Sequence, residues 1–159
     1  MLELTDGFSR TDDVRAMFEE YMDLLVHLDP MFESYLAIQN YEDELRDLTK
    51  KYGPPRGGLW LALWNGECAG TIALHPLDAT RCELKRLYVR PAYRRRGIGD
   101  ALTDTAIDTA RRLGYRHMLL DTLTPLTTAI AMYRARGFYD IPKYNDSPME
   151  KTYFMQLDL

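Results

Sequence analysis

The spacing of apolar positions changes several times along the chain, and each change predicts an element boundary. Val14, Phe18, Tyr21, Leu25 and Leu28 recur at helical spacing behind a short strand, with Asp12 placed to cap the run and Pro30 to end it. A second helix is predicted over Ser34 to Lys51 with Leu36, Tyr41, Leu45 and Leu48 inward, and Gly53-Pro54-Pro55-Arg56-Gly57-Gly58 breaks it. The pattern then turns to β. Leu59 to Trp64 and Glu67 to Leu74 flank Asn65-Gly66, a pair suited to positive φ at both central positions of a hairpin turn, and Cys82 to Val89 follows a second turn. Three antiparallel strands result.

Beyond them the order is helix, strand, helix, strand. Ile98, Leu102, Ala106, Ala110 and Leu113 form one apolar helical face, with Asp100 near the positive end of the helix dipole, Arg111 and Arg112 near the other, and Gly114 as terminator. Tyr115 to Thr122 is a strand. Thr124 and Pro125 read as a cap and a first-position proline for a helix running to Arg136, ended by Gly137. Phe138 to Ile141 and Thr152 to Leu157 are predicted to pair as closing strands. No repeat or composition break divides the 159 residues, so one domain spanning 1–159 is expected, α/β in class.

Composition narrows the function. The hydrophobic content of 46% supports a packed core, no apolar run approaches the ~20 residues that cross a bilayer, and the first residues lack the order of a secretion signal. A cytoplasmic protein without a membrane partner is expected. Cys68 and Cys82 fall at opposite ends of neighbouring antiparallel strands and are expected to be free thiols. The net charge of −4 argues against nucleic acid. Within it, Arg86, Arg90, Arg94, Arg95 and Arg96 stand together without an acidic residue, a local anion site on an acidic protein. His27, His75 and His117 have no metal-ligand spacing, so no metal is expected.

The segment Val89-Arg90-Pro91-Ala92-Tyr93-Arg94-Arg95-Arg96-Gly97-Ile98-Gly99 lies between a strand end and a helix start. Glycine lets the backbone turn and approach a ligand, and the unpaired N–H groups of the helix terminus suit a pyrophosphate; a plain turn with a solvated basic face is the competing reading. A dinucleotide fold, which would bind NAD, would need a parallel strand–helix–strand unit and a longer glycine pattern, and the preceding hairpins are antiparallel.

Arg94, Gly97 and Gly99 fill the Arg/Gln-x-x-Gly-x-Gly/Ala pattern of the GNAT family of N-acetyltransferases. Leu120-Asp121-Thr122-Leu123, followed by Ala129 to Phe138 with Tyr133 and a Gly-Phe pair, is similar to the family's later strand and helix. The resemblance covers the last eighty residues or so well, and the first fifty only by element order. It implies a mixed, mostly antiparallel sheet that splays between its fourth and fifth strands, with acetyl-CoA in the opening. Leu87, Tyr88 and Val89 would meet the pantetheine through main-chain hydrogen bonds, and Arg94, Arg95, Arg96, Gly97, Ile98, Gly99, Asp100 and Ala101 would hold the pyrophosphate. Threonines, among them Thr128 facing the cofactor, stand where many members carry an asparagine. Tyr133 would be the general acid for the departing thiolate, against ordinary aromatic packing; Glu83, on one face with Lys85 and Leu87 by the two-residue period, would be the base, against a paired surface glutamate. Tyr21, Phe32, Tyr35 and Tyr144 are candidates for an acceptor wall, with His75 near it. The implied activity is acetyl transfer to a primary amine, small-molecule or peptide, by direct attack; the alternative is a non-catalytic acyl-CoA-binding sensor. Family members often form homodimers.

Overall fold

The computed structural model describes residues 1–159. Seven strands form one sheet in the order β1-β2-β3-β4-β5-β7-β6: Leu2–Asp6 (β1), Gly58–Trp64 (β2), Glu67–Pro76 (β3), Arg81–Val89 (β4), His117–Leu123 (β5), Tyr139–Asp140 (β6) and Thr152–Asp158 (β7). All neighbours are antiparallel except β4 and β5. Asn65 and Gly66 both take positive φ, so the β2–β3 turn forms as its residue pair requires. Cys68 and Cys82 are free thiols. No helix is long and apolar enough to cross a membrane.

Helices cover both faces of the sheet. Ile98–Arg112 (α5) buries Ile98, Leu102, Ala106 and Ala110 against Ile72, Leu74, Leu84, Met118 and Leu120. Gly70 permits this close approach, since a Cβ there would lie 2.8 Å from the Tyr88 carbonyl and 3.2 Å from Leu102. Thr11–Leu28 (α1) packs Val14, Met17 and Phe18 on the opposite face over Leu59, Leu61 and Leu63, the alternate residues of β2. Arg10 rather than Asp12 occupies the N-cap of α1, which has no side-chain cap; Asp12 and Asp13 lie in its first turn, where their charge suits the dipole.

The region expected to be one helix over Ser34 to Lys51 is three: Phe32–Ile38 (α2), Tyr41–Arg46 (α3) and Leu48–Tyr52 (α4). Asn40 adopts the left-handed conformation and interrupts the first junction, while Asp47 leaves helical geometry and accepts a hydrogen bond from the Lys50 N–H at the second. The last helix, Thr127–Ala135 (α6), begins after Thr124-Pro125, which form a turn instead of its cap.

Breaking the helix brings Glu44 inward. Its carboxylate receives Arg86 Nε at 2.9 Å and Nη2 at 2.9 Å, and Lys51 Nζ at 2.8 Å, while Gln39 accepts a further bond from Arg86. Arg86 and Glu44 are 5% and 4% exposed, so the pair lies out of water. Arg86 has φ 59°, and the β3–β4 register slips between Thr71↔Tyr88 and Ala73↔Lys85, a bulge that sets one extra residue in β4. The face of β4 changes there: Glu83, Lys85 and Tyr88 point toward α1–α4, whereas Leu84, Leu87 and Val89 pack toward α5. Leu87 is therefore not on the face of Glu83, as a strict two-residue period had it.

Burial pushes the Glu44 carboxyl up, but Arg86 and Lys51 outweigh it and hold it at about 2 against an ordinary 4.5. A depressed folded-state value stabilises the fold fully above pH 4.5, and this contribution is lost as the pH falls through about 2. Glu44→Ala, which strands the Arg86 charge, is expected to cost about 3–5 kcal/mol in urea unfolding at pH 7 and to flatten the decline of stability below pH 4.5. A loss under about 1 kcal/mol would show that the pair does not anchor β4.

Candidate active site

β4 and β5 pair only where Arg81, Cys82 and Glu83 meet His117, Met118 and Leu119. Beyond that point they part. β5 stays bound to β7 along its whole length, and β4 to β3, so the diverging inner edges carry backbone groups with no strand between them. The opening is a cleft with Leu84, Lys85, Arg86 and Leu87 on one side and Asp121, Thr122 and Leu123 on the other. Tyr21, Leu25, Phe32 and Tyr35 from α1 and α2 roof it, and Tyr133 from α6 reaches in from the other face.

The outer end of β4 leads directly to the glycine loop. Arg95 and Gly97 take left-handed φ of 64° and 74°, turning the chain into α5. Nothing lies within 4 Å of where a Gly97 Cβ would project, and the start of α5 has no side-chain cap. First-turn N–H groups are thus left for a ligand. The five arginines divide into two sets. Arg86 is consumed by Glu44, and Arg90 by Glu20 at 2.6 Å, whereas Arg94, Arg95 and Arg96 make no ion pair and are exposed. Arg94 Nε donates to the Val89 carbonyl and Arg96 lies over the Trp64 ring at 4.9 Å. Asp100 is matched by Arg136 at 2.7 Å, which also bonds Asp104 and ties α5 to the end of α6. The only acid at the helix start is thereby offset, and the loop keeps a positive excess.

The other residues singled out by sequence fall as follows. Leu87 lines the cleft; Tyr88 turns away and stacks on Tyr21 at 5.4 Å; Ile98 is buried, so only its backbone is available at the loop. Ala101 closes the first α5 hydrogen bond onto Gly97, and Thr128 is exposed in the first turn of α6. Tyr133 is 5% exposed and packs on Phe138, and its hydroxyl bonds to no protein group. Burial, with Tyr21 and Asp121 nearby, raises its phenol well above the usual value.

Glu83 does not line the cleft. Its carboxylate contacts Lys85 at 3.3 Å and accepts from the Tyr144 hydroxyl at 2.6 Å. Burial pushes it up, but Lys85 and the Tyr144 hydroxyl together hold it below the usual range. Tyr144 thus serves Glu83, whereas Tyr21, Phe32 and Tyr35 do line the cleft. His75 packs on the Tyr52 ring with Nδ1 3.2 Å from the Lys51 carbonyl, away from the opening. No group of three His, Cys, Asp or Glu side chains is disposed to hold a metal ion.

The cleft carboxylate is Asp121, which the sequence marks within a β-strand motif and near the distance of a dinucleotide fold's acidic residue, but not as a cleft acid. Tyr35 Oη lies 2.5 Å from its Oδ2, and Asn145 Nδ2 lies 2.9 Å from the same oxygen. The available signal was its position two residues past the last β4–β5 pair, which a single sequence does not mark.

This architecture agrees with known proteins. An acetyltransferase of Streptococcus agalactiae superposes with TM-score 0.75 over 99% of this chain and 98% of its own at 22% identity. A PaiA N-acetyltransferase from Thermoplasma acidophilum, solved with coenzyme A, does so at TM-score 0.75 and 16% identity, covering 100% and 99%. By sequence, an uncharacterised N-acetyltransferase of Schizosaccharomyces pombe is 35% identical over 93% of this chain and 88% of its own length. Human N-acetyltransferase 8 is 35% identical over 60% of this chain, a match that spans only 44% of the human protein. The model of the acetyltransferase (GNAT) family matches residues 15–138. With the split sheet and the uncapped glycine loop, these matches establish that the chain belongs to the GNAT family of acetyl-CoA-dependent acetyltransferases.

Proposed function

We propose that the protein transfers an acetyl group from acetyl-CoA to a primary amine by direct attack while both substrates are bound. The observation that carries this reading is the continuity of two open features: the unpaired inner edge of β4 and the uncapped start of α5, where three arginines have no acidic partner. The edge offers main-chain bonds to the amide-bearing pantetheine as an added strand would, through Leu87, Tyr88 and Val89. The pyrophosphate fits the turn from Arg94 to Ala101, where the Gly97 side leaves room for it.

The bound co-substrate supplies an activated acetyl thioester. A main-chain N–H on the β4 edge polarises its carbonyl, which needs only geometry and no particular side chain. The amine nitrogen forms a bond to the carbonyl carbon as the carbon–sulfur bond breaks. Tyr133 gives its hydroxyl proton to the departing sulfur, and the acceptor nitrogen sheds two protons, one from its ammonium to solvent before attack and a second after it that restores Tyr133 through solvent. Its raised phenol stays protonated through the physiological range, so the hydroxyl holds its proton until the departing sulfur takes it. Glu83 is a poor fit as the base, since Lys85 and Tyr144 occupy its carboxylate; its place is in the wall behind the cleft.

A non-catalytic sensor would retain the cradle without needing an acid. Tyr133→Phe separates the two: acetyl transfer is expected to fall about 100-fold with CoA affinity unchanged, and equal turnover would remove Tyr133 from the mechanism. Gly97→Glu places an anion in the cradle and is expected to abolish saturable CoA binding in isothermal titration, with NAD bound by neither protein. Unaltered CoA affinity in a folded Gly97→Glu protein would move the pyrophosphate elsewhere.

A further inference from the structure

The cleft has a polar floor that acetyl-CoA recognition does not use. Asp121 is the one carboxylate among its lining residues, and it forms no ion pair. Both donors that reach it, Tyr35 Oη and Asn145 Nδ2, go to Oδ2, so Oδ1 accepts no hydrogen bond. The donors are themselves fixed. Asn145 Nδ2 also approaches Tyr35 Oη at 2.9 Å, and Asn145 Oδ1 accepts from the Ser147 N–H at 3.1 Å, which settles which end of the amide faces Asp121. Tyr35 is further held edge-on against Phe32 at 5.5 Å.

The charge balance around this carboxylate gives its purpose. Two cations, Lys85 and Arg86, also line the cleft, but each is matched from behind, Lys85 by Glu83 at 3.3 Å and Arg86 by Glu44 at 2.9 Å. Asp121 has neutral donors only, so it is the one charged group lining the cleft without an ion-pair partner, and it keeps a free oxygen. A carboxylate so placed favours a cation, and neutral hydrogen bonds from one side leave the other for it. The surrounding walls, Tyr21, Leu25, Phe32, Leu126 and Met149, are apolar and aromatic. They suit a small hydrocarbon or aryl group and offer no second charge for a polycation.

We infer that Asp121, braced by Tyr35 and Asn145, receives the ammonium group of the acceptor, and that the acceptor is a monocationic primary amine on a short apolar or aromatic arm. Asp121 lies two residues beyond the last β4–β5 pair, where the strands begin to part, and shares the cleft with Leu87 and Tyr133. An ammonium at Oδ1 therefore enters the same opening as the thioester. This inference deepens the amine-acetylation reading and rests on it.

The test is titration of the CoA-saturated protein with phenethylammonium and n-butylammonium chloride, with phenethyl alcohol as the neutral control. The wild type is expected to bind the ammonium probes saturably, more weakly as salt rises, and the alcohol not at all. Asp121→Asn is expected to weaken ammonium binding about 30-fold or more while leaving CoA affinity within about twofold. Equal binding of alcohol and ammonium by the wild type would overturn the inference without any variant. So would unchanged ammonium affinity in Asp121→Asn, or no ammonium binding by a wild type that binds CoA. A wild type that binds no CoA would instead overturn the acetyltransferase reading beneath it.

Discussion

Under the helices that roof the sheet, the guanidinium of Arg86 and the carboxylate of Glu44 meet through two hydrogen bonds with almost no exposure to water. The backbone of Arg86 pays for this with a left-handed φ, a conformation that costs a non-glycine residue about 1–2 kcal/mol. Two such charges are expensive to bury, and the geometry persists because each satisfies the other, with Lys51 and Gln39 taking the remaining bonds. The pair fixes where α3 sits above the sheet and where β4 acquires its extra residue. The bulge lies just past the last β4–β5 pair and bends the outer half of β4 along the opening.

The same bulge sorts the charges. Glu83 and Lys85 lie before it and pair with each other; Arg86 is taken by Glu44, and Arg90 by Glu20. The charged groups left without ion-pair partners here lie in two places. Three arginines mark the glycine loop, and one aspartate marks the inner cleft. A site with a positive outer end and a negative inner end suits two substrates of opposite charge arriving at one opening, a polyanionic thioester and a cationic amine.

Much of this was legible in the sequence because it is local. Asn65-Gly66 imposes its own turn, the spacing of Ile98, Leu102, Ala106 and Ala110 gives the buried face of α5, and Gly97 and Gly114 bracket that helix with positive φ. What escaped depends on distant partners. Apolar spacing over Ser34 to Lys51 looks continuous, yet Asn40 and Asp47 break it, and the break turns Glu44 inward toward an arginine 42 positions away. The bulge also invalidated the two-residue period that put Glu83 and Leu87 on one face. Glu83 stood out as an acid on the fourth strand, while Asp121 gained its place only when β5 and the loop bearing Asn145 came together.

The splayed inner edge of β4 acts, on this reading, as a binding surface completed by the co-substrate. Amide hydrogen exchange of Leu84 to Val89 and Arg94 to Ala101, with and without saturating CoA, tests it most directly. CoA is expected to slow exchange in both segments together, because one ligand supplies the missing strand and occupies the helix start. Exchange at Leu84 to Val89 that is indifferent to bound CoA would contradict it.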